Sequence, residues 1–305
     1  MQQLLAPVLS QLNKVVLGKP HQVKLSVACL LARGHLLIED LPGMGKTTLG
    51  QAIAKVFGLD FQRIQFTSDI LPADIVGANI FDREKGTFEF HKGPVFSQLI
   101  LADEINRATP KAQSALLEAM EETQVTVEGQ TFQLPEPFFV IATQNPSHQI
   151  GTYSLPESQL DRFLFKVELG YPDPGFEKIL LKGHSGRVRL DTLETMLEID
   201  KLIEIQGQVD KVMVSEHLLS YVMDLINATR QSPDFAHGIS PRGGLALVGA
   251  AKAWALLENR DFVLPEDIQQ VFGPTVVHRL QSVTTSSSNA QQAVDDILQQ
   301  TPVPA

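Results

Sequence analysis

Cysteine, tryptophan and tyrosine are scarce in this sequence, and basic residues are fewer than acidic ones. Its 305 residues include one cysteine, Cys29, one tryptophan and three tyrosines. A single cysteine cannot form an intrachain disulfide, so we interpret Cys29 as a buried core thiol. The 25 basic and 35 acidic residues give a net charge of −10, the wrong sign for a surface that grips phosphate backbones. Nucleic acid is therefore not the expected partner.

Long apolar runs are also absent. The most apolar early stretch, Val23 to Ile38, is interrupted by a lysine, an arginine and a histidine, and it is shorter than the roughly 20 residues of a membrane span. A secretory signal has a basic residue ahead of an apolar run, and the first ten residues lack this charge layout. We therefore expect no membrane span and a cytoplasmic location.

The remaining composition is that of a globular chain, with 43% hydrophobic and 20% charged residues, and its length allows about two domains. Between Gly34 and about Gly170, short apolar runs alternate with helical patterns. This layout predicts an α/β fold with a five-stranded parallel sheet and helices on both faces. The predicted strands are Leu36–Ile38, Phe61–Phe66, Leu99–Ala102, Phe138–Thr143 and Leu164–Leu169.

Two helices and one hairpin are predicted between these strands. Helices are expected over Lys46–Phe57 and Lys111–Glu122, the second because its apolar residues recur at helical spacing. Two short strands around a turn at Glu128–Gln130 predict a β-hairpin.

The chain changes character after Tyr171–Gly175, where two prolines and a glycine mark a linker. Helices are expected over Ser215–Gln231, after the Ser240-Pro241 cap, and near Pro265. We predict an α/β domain over residues 1–172 and an all-α domain over residues 173–280. Residues 281–305 are rich in Ser, Thr and Gln, so we expect a mobile tail with at most a short helix over Ala293–Leu298.

Phenylalanine is dense in the first half of the sheet region. We interpret these rings as core packing, with a pore or partner surface as the alternative. The residues are Phe61, Phe66, Phe81, Phe88, Phe90 and Phe96.

A glycine-bearing loop joins the first predicted strand directly to the first predicted helix. In such a loop, backbone N–H groups close around an anion at the helix N-terminus. Lys46 can then reach the β and γ phosphates of a nucleotide, and the Thr47 hydroxyl can ligate Mg²⁺. One residue departs from the general G-x-x-x-x-G-K-[ST] pattern, since Asp40 replaces the first glycine. The predicted nucleotide-binding residues are Pro42, Gly43, Met44, Gly45, Lys46, Thr47 and Thr48.

Polar side chains also follow two other predicted strands. Asp103 and Glu104 end the third strand, where a parallel sheet presents its ligands. We expect Asp103 to hold Mg²⁺ and Glu104 to activate the water that attacks the γ-phosphate. Asn145 ends the fourth strand and can contact both that water and the γ-phosphate; ordinary turn chemistry of an Asn before a Pro is the alternative.

With these motifs, the sequence resembles the MoxR family of AAA+ ATPases from about Leu12 to Leu280. The resemblance rests on the loop with Lys46, on Asp103-Glu104 followed by Ile-Asn-Arg, on Asn145, and on Leu155–Phe163. Residues 69–77 resemble the helix-2 insertion of that clade, and the hairpin near Gly129 resembles the one before its sensor 1. The implied fold is an AAA+ P-loop core with a helical lid.

The resemblance also implies roles for three residues. Asn145 matches sensor 1, Arg162 matches the arginine finger that reaches the neighbouring subunit's nucleotide, and Arg242 resembles sensor 2. A cation in the first turn of a helix interacts unfavourably with the macrodipole, which favours a functional role for Arg242. The structural alternatives are that Arg162 pairs with Asp161 or caps a helix, and that Arg242 is a solvated surface residue.

The resemblance therefore implies an ATPase that uses ATP and Mg²⁺, assembles as a hexameric ring, and remodels or matures client proteins. A partner with a von Willebrand factor A domain is implied as well. The alternatives are a DNA-directed or chelatase-type motor, and a nucleotide-gated scaffold with weak hydrolysis. The net charge disfavours DNA, and Glu104 disfavours the scaffold. A GTPase is disfavoured because no N-K-x-D segment is present.

Overall fold

A computed structural model of the chain describes residues 2–145, 152–182, 190–283 and 287–303. Five of its strands form one parallel sheet, as the sequence predicts, and the other four form two antiparallel hairpins. The strands are β1 (Leu36–Glu39), β2 (Phe61–Gln65), β3 (Gly77–Asp82), β4 (Thr87–Lys92), β5 (Leu99–Asp103), β6 (Gln124–Val127), β7 (Gln130–Gln133), β8 (Phe139–Gln144) and β9 (Phe165–Val167). The strand order in the parallel sheet is β2-β5-β8-β1-β9.

The helices alternate with these strands and then continue alone to the C-terminal part of the chain. They are α1 (Gln2–Val15), α2 (Pro20–Leu31), α3 (Lys46–Val56), α4 (Pro72–Val76), α5 (Pro110–Glu122), α6 (Glu157–Leu160), α7 (Pro174–Leu181), α8 (Ile199–Val209), α9 (Glu216–Gln231), α10 (Pro241–Leu257), α11 (Pro265–Val276) and α12 (Ser287–Gln300). The predicted cap at Ser240 is confirmed, because its side chain accepts a hydrogen bond from the N–H group of Gly243. Ser215 caps α9 in the same way, by accepting from the N–H group of Leu218. Within the described ranges, none of these helices combines the length and the apolarity needed to cross a membrane.

Alternate residues of the sheet enter two apolar cores, because successive strand side chains point to opposite faces. Leu101 lies in one core and Ile100 in the other, and both are fully buried. The first core continues into the helical part through Leu247 and Val271. It also contains Cys29, where burial raises the pKa of the thiol, so the interpretation as a core thiol is confirmed.

The two hairpins, β3–β4 and β6–β7, are joined by aromatic rings. Phe90 of β4 stacks on Phe132 of β7 with ring centroids 4.2 Å apart. Core packing is confirmed for Phe66, which is fully buried, but it is wrong for Phe81 and Phe88, whose exposed fractions are 50% and 70%. Those two rings pack against each other, 5.2 Å apart, because the antiparallel register places them directly opposite.

The expectation of a mobile tail is wrong for residues 287–300, which form α12. This helix packs against α9 and α11, and Val294 is fully buried. Its buried residues Ala290, Ala293, Val294 and Ile297 follow helical spacing. The many Ser and Gln residues around them hide this apolar stripe when composition alone is considered. The domain division at residues 172 and 173 stays a prediction.

Candidate active site

One cavity of 380 Å³ lies where the carboxyl ends of the central strands meet the start of α3. It brings together most of the predicted site residues, although Met44 packs against the apolar core instead. The lining residues are Pro42, Gly43, Gly45, Lys46, Thr47, Thr48, Arg63, Gln65, Asp103, Glu104 and Asn145.

The loop that forms one wall of the cavity depends on two glycines in the left-handed region. Gly43 has φ 87° and Gly45 has φ 91°, and L side chains rarely adopt this conformation. Gly45 is also the N-cap of α3, so it has no side chain that could accept from the first N–H groups of the helix. Those donors therefore stay available to an anion, as the sequence predicts for a phosphate-binding loop.

Lys46 lies at the first position of α3, and its ammonium group folds back over the loop. Its Nζ donates to the carbonyl oxygens of Asp40, at 2.6 Å, and Leu41, at 3.2 Å. Burial lowers the pKa of Lys46, while the carboxylates of Asp40, Asp103 and Glu104 oppose that change. An ammonium group has three N–H donors, so one remains for a phosphate oxygen.

Asp40, the departure from the general pattern, has a structural role in the described chain. Its Oδ2 accepts from the N–H groups of Leu169, at 2.8 Å, and Gly170, at 2.7 Å, and its Oδ1 accepts from that of Leu41. The carboxylate therefore ties the segment after β9 to the phosphate loop. A glycine at this position could not make these contacts.

Both oxygens of Asp103 are engaged at the end of β5. Oδ1 accepts from the Thr143 hydroxyl at 2.6 Å, and Oδ2 accepts from the Arg63 guanidinium at 2.6 Å. The Thr143 oxygen also accepts from the Glu104 N–H. Sequence reasoning missed Arg63 and Thr143; the available signal was that both lie on strands that flank β5.

Three donors hold the carboxylate of Glu104. Oε1 accepts from Asn145 at 3.2 Å, and Oε2 accepts from Gln65 at 3.2 Å and from Arg107 at 2.8 Å. Glu104 has φ 57°, a left-handed conformation that is strained for a residue with a side chain and is characteristic of functional sites. Asn145 thus lies beside Glu104 in the same cavity, and its contact with the attacking water and the γ-phosphate stays a prediction.

Arg162 and Arg242 do not line this cavity in the described part of the chain. Instead both contact Glu121 of α5: Arg162 at 2.8 Å through Nη2, and Arg242 at 2.9 Å through Nη1. Arg162 also donates to the Leu117 carbonyl. The alternative pairing of Arg162 with Asp161 is not what the structure shows, because Asp161 pairs with Arg279 at 2.7 Å.

Arg279 was missed by sequence reasoning, although it is the best-buried cation of this group. Its side chain is 5% exposed, and burial lowers its pKa while Asp161 opposes that change. It also donates to the Phe163 and Leu164 carbonyls, so it links the residues after α11 to the start of β9. Nothing in its local sequence distinguishes it from a solvated arginine.

The chemistry of the cavity fits a magnesium nucleotide. The start of α3 and Lys46 offer N–H donors and positive charge for phosphates. Thr47 and Asp103 line the same cavity and carry the hard oxygen ligands that Mg²⁺ prefers. The fold and this site together define a P-loop ATPase of the AAA+ class with a helical lid.

Comparisons with known proteins agree with that class. The family described as "ATPase family associated with various cellular activities (AAA)" matches residues 35–165, and the AAA lid domain matches residues 227–301. Chaperone MoxR1 of Mycobacterium tuberculosis is 39% identical over 88% of this chain and 74% of its own length. The chain belongs to the MoxR family of AAA+ ATPases.

Two further relatives extend the similarity over nearly the whole chain. The uncharacterized protein YeaC of Bacillus subtilis (strain 168) is 48% identical over 91% of this chain and 87% of its own length. A crystal structure of a proposed ATPase from Cytophaga hutchinsonii is 38% identical, with a TM-score of 0.91 over 100% of this chain and 96% of that one.

Proposed function

We propose that this protein hydrolyses ATP to ADP and phosphate in the cavity at the start of α3, with Mg²⁺ as cofactor. The observation that carries the proposal is the position of Glu104. Its carboxylate lines the same cavity as Lys46 and Thr47, and Asn145, Gln65 and Arg107 orient it. A carboxylate held in this way can orient water and accept its proton.

The other residues of the cavity bind and orient the phosphates. Lys46 and the first N–H groups of α3 would hold the β and γ phosphates, and Asn145 would contact the γ-phosphate and the attacking water. Thr47 and Asp103 would hold Mg²⁺, which supplies charge neutralisation at the phosphate oxygens when bound. Thr143, hydrogen-bonded to Asp103, keeps that carboxylate in one orientation.

Arg162 and Arg242 would serve the nucleotide of a neighbouring subunit. Their shared contact with Glu121, outside the cavity of their own chain, supports this assignment for both arginines. A cation at the γ-phosphate offsets charge in the transition state and is worth about 10³ to 10⁵ in rate. Because such a contact is heterologous, repetition closes it into a ring, for which we propose six subunits.

The energy of hydrolysis would drive chaperone-like remodelling of client proteins in the cytoplasm. Loss of the γ-phosphate would release the arginines, so that the lid and the α/β part can rotate relative to each other. Membership of the MoxR family and the name of the mycobacterial relative support a chaperone role. The proposal of a partner with a von Willebrand factor A domain rests on the family resemblance.

Capture of clients tests the remodelling role. Glu104→Gln with ATP should hold clients, and Lys46→Ala, which should not bind nucleotide, is the control. Enrichment of a protein with a von Willebrand factor A domain only with Glu104→Gln would support the proposal. Nuclease-sensitive DNA complexes would support a DNA motor instead, and no enrichment over the control would favour a scaffold.

A further inference from the structure

Glu121 is the point where the two arginines outside the nucleotide cavity meet. One carboxylate oxygen, Oε2, lies 2.8 Å from Nη2 of Arg162, and the other, Oε1, lies 2.9 Å from Nη1 of Arg242. The side chains are partly exposed, at 33% for Glu121, 24% for Arg162 and 53% for Arg242. All three can therefore be reached by an adjacent molecule.

The contact joins two parts of the fold. Glu121 belongs to the last turn of α5, next to the sheet, whereas Arg242 lies in the first turn of α10, in the helical part. Asp161 adds a second link, because it pairs with Arg279 at 2.7 Å and lies 3.7 Å from Nε of Arg242. The result is an alternating series of charges, Arg162, Glu121, Arg242, Asp161 and Arg279.

Electrostatics give Glu121 a particular importance in this series. Two guanidinium groups repel each other, and Arg242 is additionally disfavoured by the positive end of the α10 dipole. A carboxylate has two oxygens, so it can accept from one arginine on each and hold both cations at a short separation. Three arginines against two carboxylates leave one positive charge, which suits the approach of a phosphate.

We propose that Glu121 is a positioning residue that holds Arg162 and Arg242 as one two-cation unit for the neighbouring subunit's nucleotide. This inference rests on the proposed function, in which both arginines act across the subunit interface. Glu121 itself touches neither the phosphates nor the water. It acts by fixing the spacing and direction of the arginines, and a misplacement of about 1 Å in such a group costs roughly a hundredfold in rate.

Glu121→Gln is the decisive variant, and Glu122→Gln is its matched control. Glutamine keeps the shape of glutamate but has one acceptor oxygen, so it can hold only one of the two arginines in this way. Glu122 is the next residue of α5 and is exposed. The control thus removes the same charge from the same helix without touching the arginines.

The measurements are kcat, KM for ATP, and affinity for ADP with aluminium fluoride, which mimics the transferring phosphoryl group. For Glu121→Gln we expect kcat and affinity for the mimic to fall by about ten- to a hundredfold, with little change in KM. Glu122→Gln should match the wild type. Glu121→Asp, which keeps both oxygens on a shorter side chain, should recover part of the lost rate.

Several outcomes would overturn the inference. Wild-type kcat and mimic affinity in Glu121→Gln would do so, and so would equal losses in Glu122→Gln. A further loss when Glu121→Gln is added to the Arg162→Ala, Arg242→Ala double variant would show that Glu121 acts by another route. Failure of the proposed function gives a different result: either the wild type itself would hydrolyse no ATP, or Arg162→Ala alone would retain full activity.

Discussion

Replacement of Asp40 by glycine is the sharpest test of how the phosphate loop is built. The change restores the glycine of the general phosphate-loop pattern, so pattern matching alone expects no loss. The structure predicts the opposite, because the Asp40 carboxylate accepts three backbone N–H groups, from Leu41, Leu169 and Gly170.

The magnitude follows from the donors that lose their acceptor. The N–H groups of Leu169 and Gly170 would lose their acceptor; Leu169 is 2% exposed, whereas Gly170 is half-buried. A buried, unsatisfied donor costs about 1–3 kcal/mol, and the half-buried donor of Gly170 costs less, so Asp40→Gly and Asp40→Ala should each lower the unfolding free energy by about 3 kcal/mol. At roughly 2–4 °C per kcal/mol, the midpoint should fall by about 6–12 °C.

Thermal and urea unfolding of the two variants measure this effect, with Asp224→Ala as the control for loss of an aspartate from an exposed position of α9. Asp224→Ala should lie within about 0.5 kcal/mol of the wild type. If Asp40→Gly is as stable as the wild type while Asp224→Ala behaves as expected, the role assigned to the Asp40 carboxylate is refuted.

Three further predictions concern pH, the C-terminal helix and the subunit interface. Burial lowers the pKa of His35 from 6.5 to about 4, so its neutral form is favoured in the fold. The contribution of His35 to the unfolding free energy should therefore decrease by about 3 kcal/mol as pH falls from 6.5 to 4. His35→Gln should make the pH dependence of unfolding less steep in this range, and an unchanged slope would contradict a neutral, buried His35. Val294→Ala should cost about 2 kcal/mol in urea unfolding because Val294 is fully buried in α12, whereas an effect no larger than that of the exposed Gln299→Ala would mean that α12 is not packed. Arg162→Ala subunits mixed into wild-type rings should depress ATP turnover beyond simple dilution, and a strictly proportional loss would argue against action across an interface.

Local patterns predicted the parts of the fold that depend on neighbouring residues. The strand, loop and helix around Lys46, and the polar ends of β5 and β8, follow from short apolar runs and from glycines with left-handed φ. Asp103, Glu104 and Asn145 could be grouped because the carboxyl ends of parallel strands meet at one edge.

Contacts between distant segments could not be predicted in this way. Arg63 and Arg279 have no distinctive local sequence, and their roles depend on partners supplied by tertiary structure. Glu121 has the sequence context of an ordinary polar helix face, although it joins two arginines that are distant in the sequence.

The exposed pair Phe81 and Phe88 shows the same limit for apolar residues. Hydrophobicity alone favours burial, but the hairpin register places the two rings opposite each other at the surface. Only pairing partners and solvent exposure distinguish such a surface pair from the less exposed stacked pair of Phe90 and Phe132.

Single-turnover hydrolysis by Glu104→Gln, with equilibrium ATP binding measured on the same protein, shows whether Glu104 activates the attacking water. The amide cannot accept the proton of the attacking water, so we predict ATP affinity near that of the wild type and hydrolysis slower by at least about a hundredfold. Glu84→Gln, at an exposed position of the β3–β4 hairpin turn, should hydrolyse ATP at the wild-type rate. Near-normal hydrolysis by Glu104→Gln would show that Glu104 is not the group that activates water.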